Sequence, residues 1–340
     1  VRPQKLSLTY LRTIRQLQSS ESYVSQSNEQ TPPPHGTQIL LNDYFEKIRR
    51  AVDSELERLL PTPPQCPNLI SEIMRYSVFA GGKRFRPILT LAASHAVSQT
   101  ETILDDALRA ACAVEMIHTY SLIHDDLPAM DDDTLRRGRP TAHVIYGEGM
   151  AILAGDALLT EAFNLLAQPA EGGTITDQSR ALRALHRIAV GSGATGMVGG
   201  QVLDLQLTGH PLDKNNAEML RDMHAKKTGA LIKAAAVAGA IMASANDTTI
   251  KAIETYATHL GLAFQIVDDI LDVEGVSDAL GKTVGKDAAA GKMTYPSMYG
   301  MHESRQRATD AVTAAHEALD SASLGGRLSD IANWVLNRSR

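Results

Sequence analysis

Two short clusters of aspartates, Asp125-Asp126-Leu127-Pro128-Ala129-Met130-Asp131 and Asp268-Asp269-Ile270-Leu271-Asp272, hold the side chains of this sequence best suited to chemistry. Each follows an apolar run, Ser121-Leu122-Ile123-His124 in the first case and Leu262-Ala263-Phe264-Gln265-Ile266-Val267 in the second. The carboxylates therefore stand where burial would otherwise be expected, and gathering like charges out of water is prohibitive unless cations answer them. Oxygen donors without Cys and with few His favour a hard ion. Mg2+ in particular takes one or two protein carboxylates and completes its shell with water and substrate phosphates. A phosphate-bridging Mg2+ site is the chemistry these residues suit. Neither stretch has the spaced oxygen ligands, central Gly and terminal Glu of an EF-hand, and neither has the His-Glu pattern of a zinc hydrolase.

Spacing separates the acids within each cluster. On a helix Asp268 and Asp272 share a face at i and i+4, with Asp269 turned away by about 100°. Pro128 cannot continue an ordinary helix, so Asp125 is expected at a helix end, with Asp131 returned to the site by the turn that follows. Cations accompany the acids. Gly81-Gly82-Lys83-Arg84-Phe85-Arg86-Pro87 places three of them beside a flexible double glycine, which suits close backbone approach and a multiply charged oxyanion. Arg136-Arg137-Gly138-Arg139-Pro140, Lys226-Lys227-Thr228-Gly229 and Gly281-Lys282-Thr283 add more. Basic groups bracketing two acidic clusters are more economical as a phosphate site than as separate solvated surface features. The last of them looks like the end of a nucleotide P-loop, but the first glycine that loop needs falls on Val276, with Gly275 one position too early. No dinucleotide fingerprint is present either.

Helices must position these groups. Ala- and Leu-rich stretches at 104–117, 149–167, 215–243 and 248–272 repeat apolar residues at three and four positions, while alternating β-branched runs are scarce, so an all-α bundle is expected. Helix breaks or loops are expected from Gly191 to Gly200 and from Pro169 to Thr176. With 340 residues, 44% of them hydrophobic, the chain buries a substantial core. Cys66 and Cys112 lie in unrelated contexts and read as reduced thiols. A net charge of −6 leaves no basic footprint for nucleic acid and assigns the local cations to a small anionic substrate. No uninterrupted apolar run approaches membrane-spanning length.

Residues 1–38 are polar, rich in Ser and Gln, and end in Thr31-Pro32-Pro33-Pro34-His35-Gly36; they are expected to form a disordered extension, with 39–340 as the catalytic domain. Through Ser20 this segment has four basic residues and no acid, with Leu6, Leu11, Ile14 and Leu17 at near-helical spacing, which has the flavour of an organellar transit peptide. The preferred reading is a plain extension on a cytoplasmic protein, with targeting as the alternative.

In chain order, GGKRFRP at 81–87, EMIHTYSLIHDDLPAMDDDTLRRGRPTAH at 115–143, GDALLTEAF at 155–163, KKTGAL at 226–231, FQIVDDILD at 264–272 and LGKTVGKD at 280–287 resemble the trans-isoprenyl diphosphate synthases over roughly residues 40–340. The bacterial short-chain farnesyl diphosphate synthases are the nearest pattern. The resemblance implies the isoprenoid synthase fold, a large helical bundle around a central cavity. It also implies head-to-tail condensation of isopentenyl diphosphate with dimethylallyl or geranyl diphosphate, giving farnesyl diphosphate and releasing diphosphate. Three Mg2+ ions would be held by Asp125, Asp131 and Asp268, with Asp126 and Asp272 in support and Asp269 completing the second motif. Lys227, Thr228 and Gln265 would stabilise the allylic carbocation through carbonyl, hydroxyl and amide dipoles. By the same resemblance Lys83, Arg86, His118 and Arg137 hold isopentenyl diphosphate, and Arg136, Lys227 and Lys282 the allylic diphosphate. The released diphosphate takes the final proton, so no dedicated base is required.

Tyr120 and Ser121, about one turn before Asp125, are expected to floor the tunnel for the growing chain, the bulky tyrosine limiting it to the farnesyl length. Thr134 departs from the pattern of many bacterial members, which carry a fourth consecutive Asp there. The resemblance also suggests a homodimer. A geranyl or geranylgeranyl diphosphate synthase differs only in tunnel depth. A terpene cyclase lacks the second full Asp motif and the GGKxxR segment that Gly81 to Arg86 supply here. A non-catalytic partner of a heteromeric synthase would have lost acids that this chain keeps.

Overall fold

A computed structural model describes residues 35–168, 174–207, 217–274 and 293–338, with side chains from residue 40 onward. The N-terminal segment up to residue 34 and the Gly281-Lys282-Thr283 group lie outside the described residues. The chain divides into two units, Val1–Gln38 and Ile39–Arg340, and the site lies in the second. In order come helices α1 (His35–Leu59), α2 (Asn68–Val78), α3 (Phe85–Ser98) and α4 (Asp105–Asp125), followed by an antiparallel hairpin of β1 (Leu135–Arg136) and β2 (Arg139–Pro140). Next are α5 (Ala142–Tyr146), α6 (Glu148–Ala167), α7 (Ile175–Ser192), α8 (Met197–Leu207) and α9 (Ala217–His224). α9 passes through a π turn at Ala225–Gly229 into α10 (Ala230–Met242), and α11 (Asp247–Glu274), α12 (Tyr295–Asp320) and α13 (Arg327–Asn337) complete the described chain. The fold is all-α, as the three-and-four apolar spacing implies.

α10 is the centre of the bundle because it is apolar on every face but the one that carries Lys233: Leu231, Ile232 and every residue from Ala234 to Met242 are buried. Its neighbours approach to backbone distance where glycine allows. A Cβ on Gly239 would lie 1.9 Å from the Thr90 carbonyl of α3, and one on Gly191 of α7 would lie 2.7 Å from the Ala234 Cβ. α4 packs along α6, both rich in buried alanine, and α11 packs along α12.

Two expectations change. The break expected over Gly191 to Gly200 is confined to residues 193–196, and α8 runs straight through Gly199 and Gly200. Gly200 is helical for a packing reason: its missing Cβ would sit 2.0 Å from the Lys227 backbone nitrogen, so α8 crosses directly on the π turn. In addition, α6 is long and apolar enough by length and composition to cross a membrane. Here Ala151, Ala154, Leu158, Ala162, Leu165 and Leu166 are buried inside the bundle, while Ile152 and Leu153 face outward.

Candidate active site

Asp125 is the last residue of α4 and Asp126 caps it. Pro128 has no N–H to continue the ladder, and the chain folds back at once. The N–H of Asp131 donates to the Asp125 carbonyl at 2.9 Å, that of Met130 to Leu127 at 2.9 Å, and that of Asp133 to Asp126 at 3.1 Å. The turn thus brings Asp131 back to Asp125. Burial pushes the Asp125 carboxyl up to about 6, with Asp131 and Asp126 adding to the rise and Lys227 and Arg136 opposing it. A carboxyl raised in this way is short of positive charge, which is the electrostatic signature of a cation site. Among the described residues no three His, Cys, Asp or Glu side chains form a single-ion cage. The donor set therefore suits an ion that takes one or two carboxylates and shares the rest of its shell with a phosphate.

Asp126 has a different task from its neighbour. Arg136 Nε donates to both of its carboxylate oxygens, at 2.8 and 2.9 Å, and Nη2 donates to Oδ1 at 2.5 Å. The pair ties the β1–β2 hairpin to the end of α4. Arg137 and Gly138 turn that hairpin with φ of 54° and 74°, the left-handed geometry of a tight two-residue turn. Arg137 then donates through Nη1 to the Gly81 carbonyl, and a Cβ on Gly82 would lie 2.7 Å from that guanidinium. The double glycine makes room for an arginine as well as for a ligand. Asp126 and Arg136, expected respectively to support the metal and to hold the allylic diphosphate, are paired with each other in this structure.

The three cations of the Lys83-Arg84-Phe85-Arg86 segment are divided by the fold. Arg84, with φ of 51° just before α3, is buried and donates to Asp53 at 2.8 Å, to Glu115 at 2.8 Å and to the Val78 carbonyl at 2.7 Å. It pins the loop that presents its neighbours. Arg86 lines the central cavity, and its buried Nε has no hydrogen-bond partner. Lys83 lies 5.6 Å from the Trp334 ring, its pKa lowered by burial and by Arg338. His118 lies among arginines; burial, then Arg86, Arg137 and Arg136, hold it well below the usual imidazole value, so it is neutral.

On α11, Asp268 and Asp272 are half-buried on one face, while Asp269 is buried. Asp269 accepts from Gln265 Nε2 at 2.8 Å and from the backbone N–H of Tyr295 at 2.9 Å, at the start of α12. It is turned into the protein, as its helical offset from Asp268 implies, and in this structure the carboxylate expected among the metal ligands is bonded to Gln265 and to the Tyr295 N–H. Nearby His224 stacks on Tyr295 with ring centroids 5.6 Å apart, and burial pulls its pKa down to about 3. Asp268 accepts from Arg338 Nη2 at 2.7 Å, and the same nitrogen donates to the Phe264 carbonyl at 2.8 Å. The Arg338 guanidinium lies 3.9 Å from the Phe264 ring centroid. Arg338 is a charged residue of the site that sequence reasoning missed, since its chain position carries no motif.

The π turn delivers the remaining groups. Irregular turns of this kind re-aim side chains and recur at functional sites. Lys227 Nζ donates to Asp204 Oδ2 of α8 at 2.6 Å, and Thr228 Oγ1 donates to Gln265 Oε1 at 2.8 Å. Arg86, His118, Tyr120, Ser121, Asp125, Lys227 and Thr228 together line one cavity of about 330 Å³. Apolar side chains of α8, including Val198, Val202 and Leu205, line it as well. Gln201 on α8 also lines it, with both amide atoms buried and unpartnered, another residue that sequence reasoning passed over. Arg136 and Arg137 line a separate small crevice with Asp126. Lys282 lies outside the described residues.

An all-α bundle around a cavity with Asp125 and cations in part of its wall and aliphatic side chains in the rest belongs to a known class of prenyltransferases. The family model described as Polyprenyl synthetase matches residues 67–323, and the chain belongs to that family. It is 42% identical over 338 residues to the heterodimeric geranylgeranyl pyrophosphate synthase large subunit 1, chloroplastic, of Arabidopsis thaliana, across 96% of this chain and 88% of the relative. A geranylgeranyl diphosphate synthase of Cyanophora paradoxa is 41% identical over 309 residues, across 90% of this chain and 99% of the relative. The apo structure of an FPP/GFPP synthase from Zymomonas mobilis matches with a TM-score of 0.73 at 35% identity, across 88% of this chain and 98% of that one. Two of these relatives are named for a geranylgeranyl product and the third for FPP and GFPP.

Proposed function

We propose that this protein condenses isopentenyl diphosphate with an allylic diphosphate and releases geranylgeranyl diphosphate as its main product. The observation that carries the reaction class is the single cavity in which Asp125, Arg86 and Lys227 share a wall with Val198, Val202 and Leu205. Such a space suits a molecule with a multiply charged anionic head and a long apolar tail. Asp125, Asp131 and Asp268, with Asp272 in support, would hold Mg2+, which supplies positive charge to the allylic diphosphate leaving group. Arg86, Arg137 and Lys83 hold the isopentenyl diphosphate, which does not ionise and needs only fixed cations. His118, being neutral, serves them as a hydrogen-bond partner rather than as a further charge. Lys227 and Thr228 face the allylic carbons, where positive charge develops.

The geranylgeranyl reading is supported by the names of the relatives and by the apolar α8 residues that line the cavity along with Tyr120. The plastid-named relatives likewise favour the organellar reading of the basic N-terminal segment, which a fluorescent fusion of residues 1–38 tests by its location. Ile152, Leu153, Val198 and Val202 are exposed apolar residues of α6 and α8 that support pairing with a second copy of the chain, measurable by light scattering. The activity test is incubation with Mg2+, labelled isopentenyl diphosphate and, separately, dimethylallyl, geranyl and farnesyl diphosphates, followed by separation of the dephosphorylated products. Geranylgeraniol is the expected endpoint. A farnesol endpoint would return the Tyr120 floor, and absence of Mg2+-dependent condensation would overturn the function.

A further inference from the structure

Asp269 stands at the inner end of a chain of hydrogen bonds that leads to the cavity wall. Its Oδ2 accepts from the Tyr295 N–H at 2.9 Å, and its Oδ1 accepts from Gln265 Nε2 at 2.8 Å. Gln265 Oε1 in turn accepts from Thr228 Oγ1 at 2.8 Å, and Thr228 lines the cavity. The donor inventory fixes the direction of every step. Both Asp269 oxygens accept, one from the Tyr295 N–H and one from Gln265, so Gln265 turns its NH2 toward Asp269; the amide oxygen, which only accepts, then faces Thr228, whose hydroxyl donates. The hydroxyl proton is thereby held inside the wall, and the oxygen lone pairs are what Thr228 presents to the cavity. With the amide reversed, Thr228 would accept from it and could aim its proton at the cavity, the wrong sign for a developing allylic cation.

We propose that Asp269 is a positioning residue for the condensation: acting through Gln265, it fixes the Thr228 hydroxyl with its lone pairs toward the reacting allylic carbons. This inference rests on the prenyl-elongation reading above and deepens it. It also separates the doublet functionally, since Asp268, one residue earlier and about 100° round the helix, is bonded to Arg338.

A double-mutant cycle on the full chain tests it. Asp269→Asn is expected to lower kcat on the order of tenfold to a hundredfold, with KM for isopentenyl diphosphate within about twofold of wild type. In a Thr228→Ala chain the same substitution should cost less than about twofold, because the hydroxyl it aims is gone. Calorimetric titration with Mg2+ and inorganic diphosphate should give the same affinity for Asp269→Asn as for wild type. Additive losses in the cycle, or a loss of Mg2+-diphosphate affinity, would overturn the proposal. Asp269→Asn also disturbs the start of α12, so Gln265→Leu, which leaves the Asp269–Tyr295 bond in place, completes a second cycle with the same expectations. An inactive wild-type chain would overturn the proposed function itself, whereas an active wild type with an additive cycle overturns only the positioning role.

Discussion

At the first aspartate cluster the chain leaves a helix, whereas at the second it stays in one. Asp125 closes α4, and the turn after Pro128 returns Asp131 to it through a backbone bond of 2.9 Å. Asp268 and Asp272 need no such turn, because four residues of α11 already put them on one face. The two solutions differ in backbone and agree in side-chain use. In each, the first aspartate is available to the site and the second is turned inward to a partner: Arg136 for Asp126, Gln265 and the Tyr295 N–H for Asp269. An Asp-Asp doublet here is therefore not a doubled ligand. Under the proposed function one carboxylate would serve the chemistry, while its neighbour holds the structure that aims it.

The comparison breaks most readily at the outward acids. Asp125→Ala or Asp268→Ala should each lower turnover on the order of a thousandfold or more while leaving the melting transition in place; near wild-type turnover in either would remove the metal-bridge reading. Asp126→Ala should behave in the opposite sense. It leaves the largely buried Arg136 guanidinium with only the longer 3.8 Å contact to Asp133, which costs on the order of 2–3 kcal/mol by the rule for broken buried pairs. Urea unfolding measures this, and an unchanged midpoint would show that the hairpin is held by other contacts.

The helices that lead into the clusters also differ. Tyr120, five residues before Asp125, lines the cavity, whereas Phe264, four before Asp268, stacks on Phe85 with centroids 4.6 Å apart. Tyr120→Ala should therefore shift the product distribution to longer chains, and an unchanged profile would place the floor elsewhere. The smallest effect is expected from Arg338→Ala. Its pair with the half-exposed Asp268 is screened by solvent, so its loss should lower the Mg2+ concentration for half-maximal activity only about twofold. A rise instead would make Arg338 a contributor to diphosphate binding.

Much of this was legible in the sequence because it depends on local geometry. The period of apolar residues placed α4, α6 and α11, Pro128 implied the turn at Asp131, and helical offset turned Asp269 away from Asp268. What stayed hidden depends on residues far apart in the chain. The Asp126–Arg136 pair requires the hairpin register, Arg84 is a pin only because α1 and α4 bring Asp53 and Glu115 to it, and Arg338 reaches Asp268 across 70 positions. Gly200 read as a helix breaker because composition cannot show that the Lys227 backbone needs its missing Cβ. The cavity wall was legible only at one tyrosine of α4, because the α8 residues that share the cavity with it lie about 80 positions away in the chain.

The most direct measurement is a calorimetric titration of Mg2+ with inorganic diphosphate into four single variants, Asp125→Asn, Asp126→Asn, Asp268→Asn and Asp269→Asn, alongside wild type. The expected result is lost or strongly weakened binding for Asp125→Asn and Asp268→Asn, with wild-type affinity kept by Asp126→Asn and Asp269→Asn. Equal loss in all four, or loss in the inward pair alone, would contradict the division of each doublet into one acid for the ligand and one for the fold.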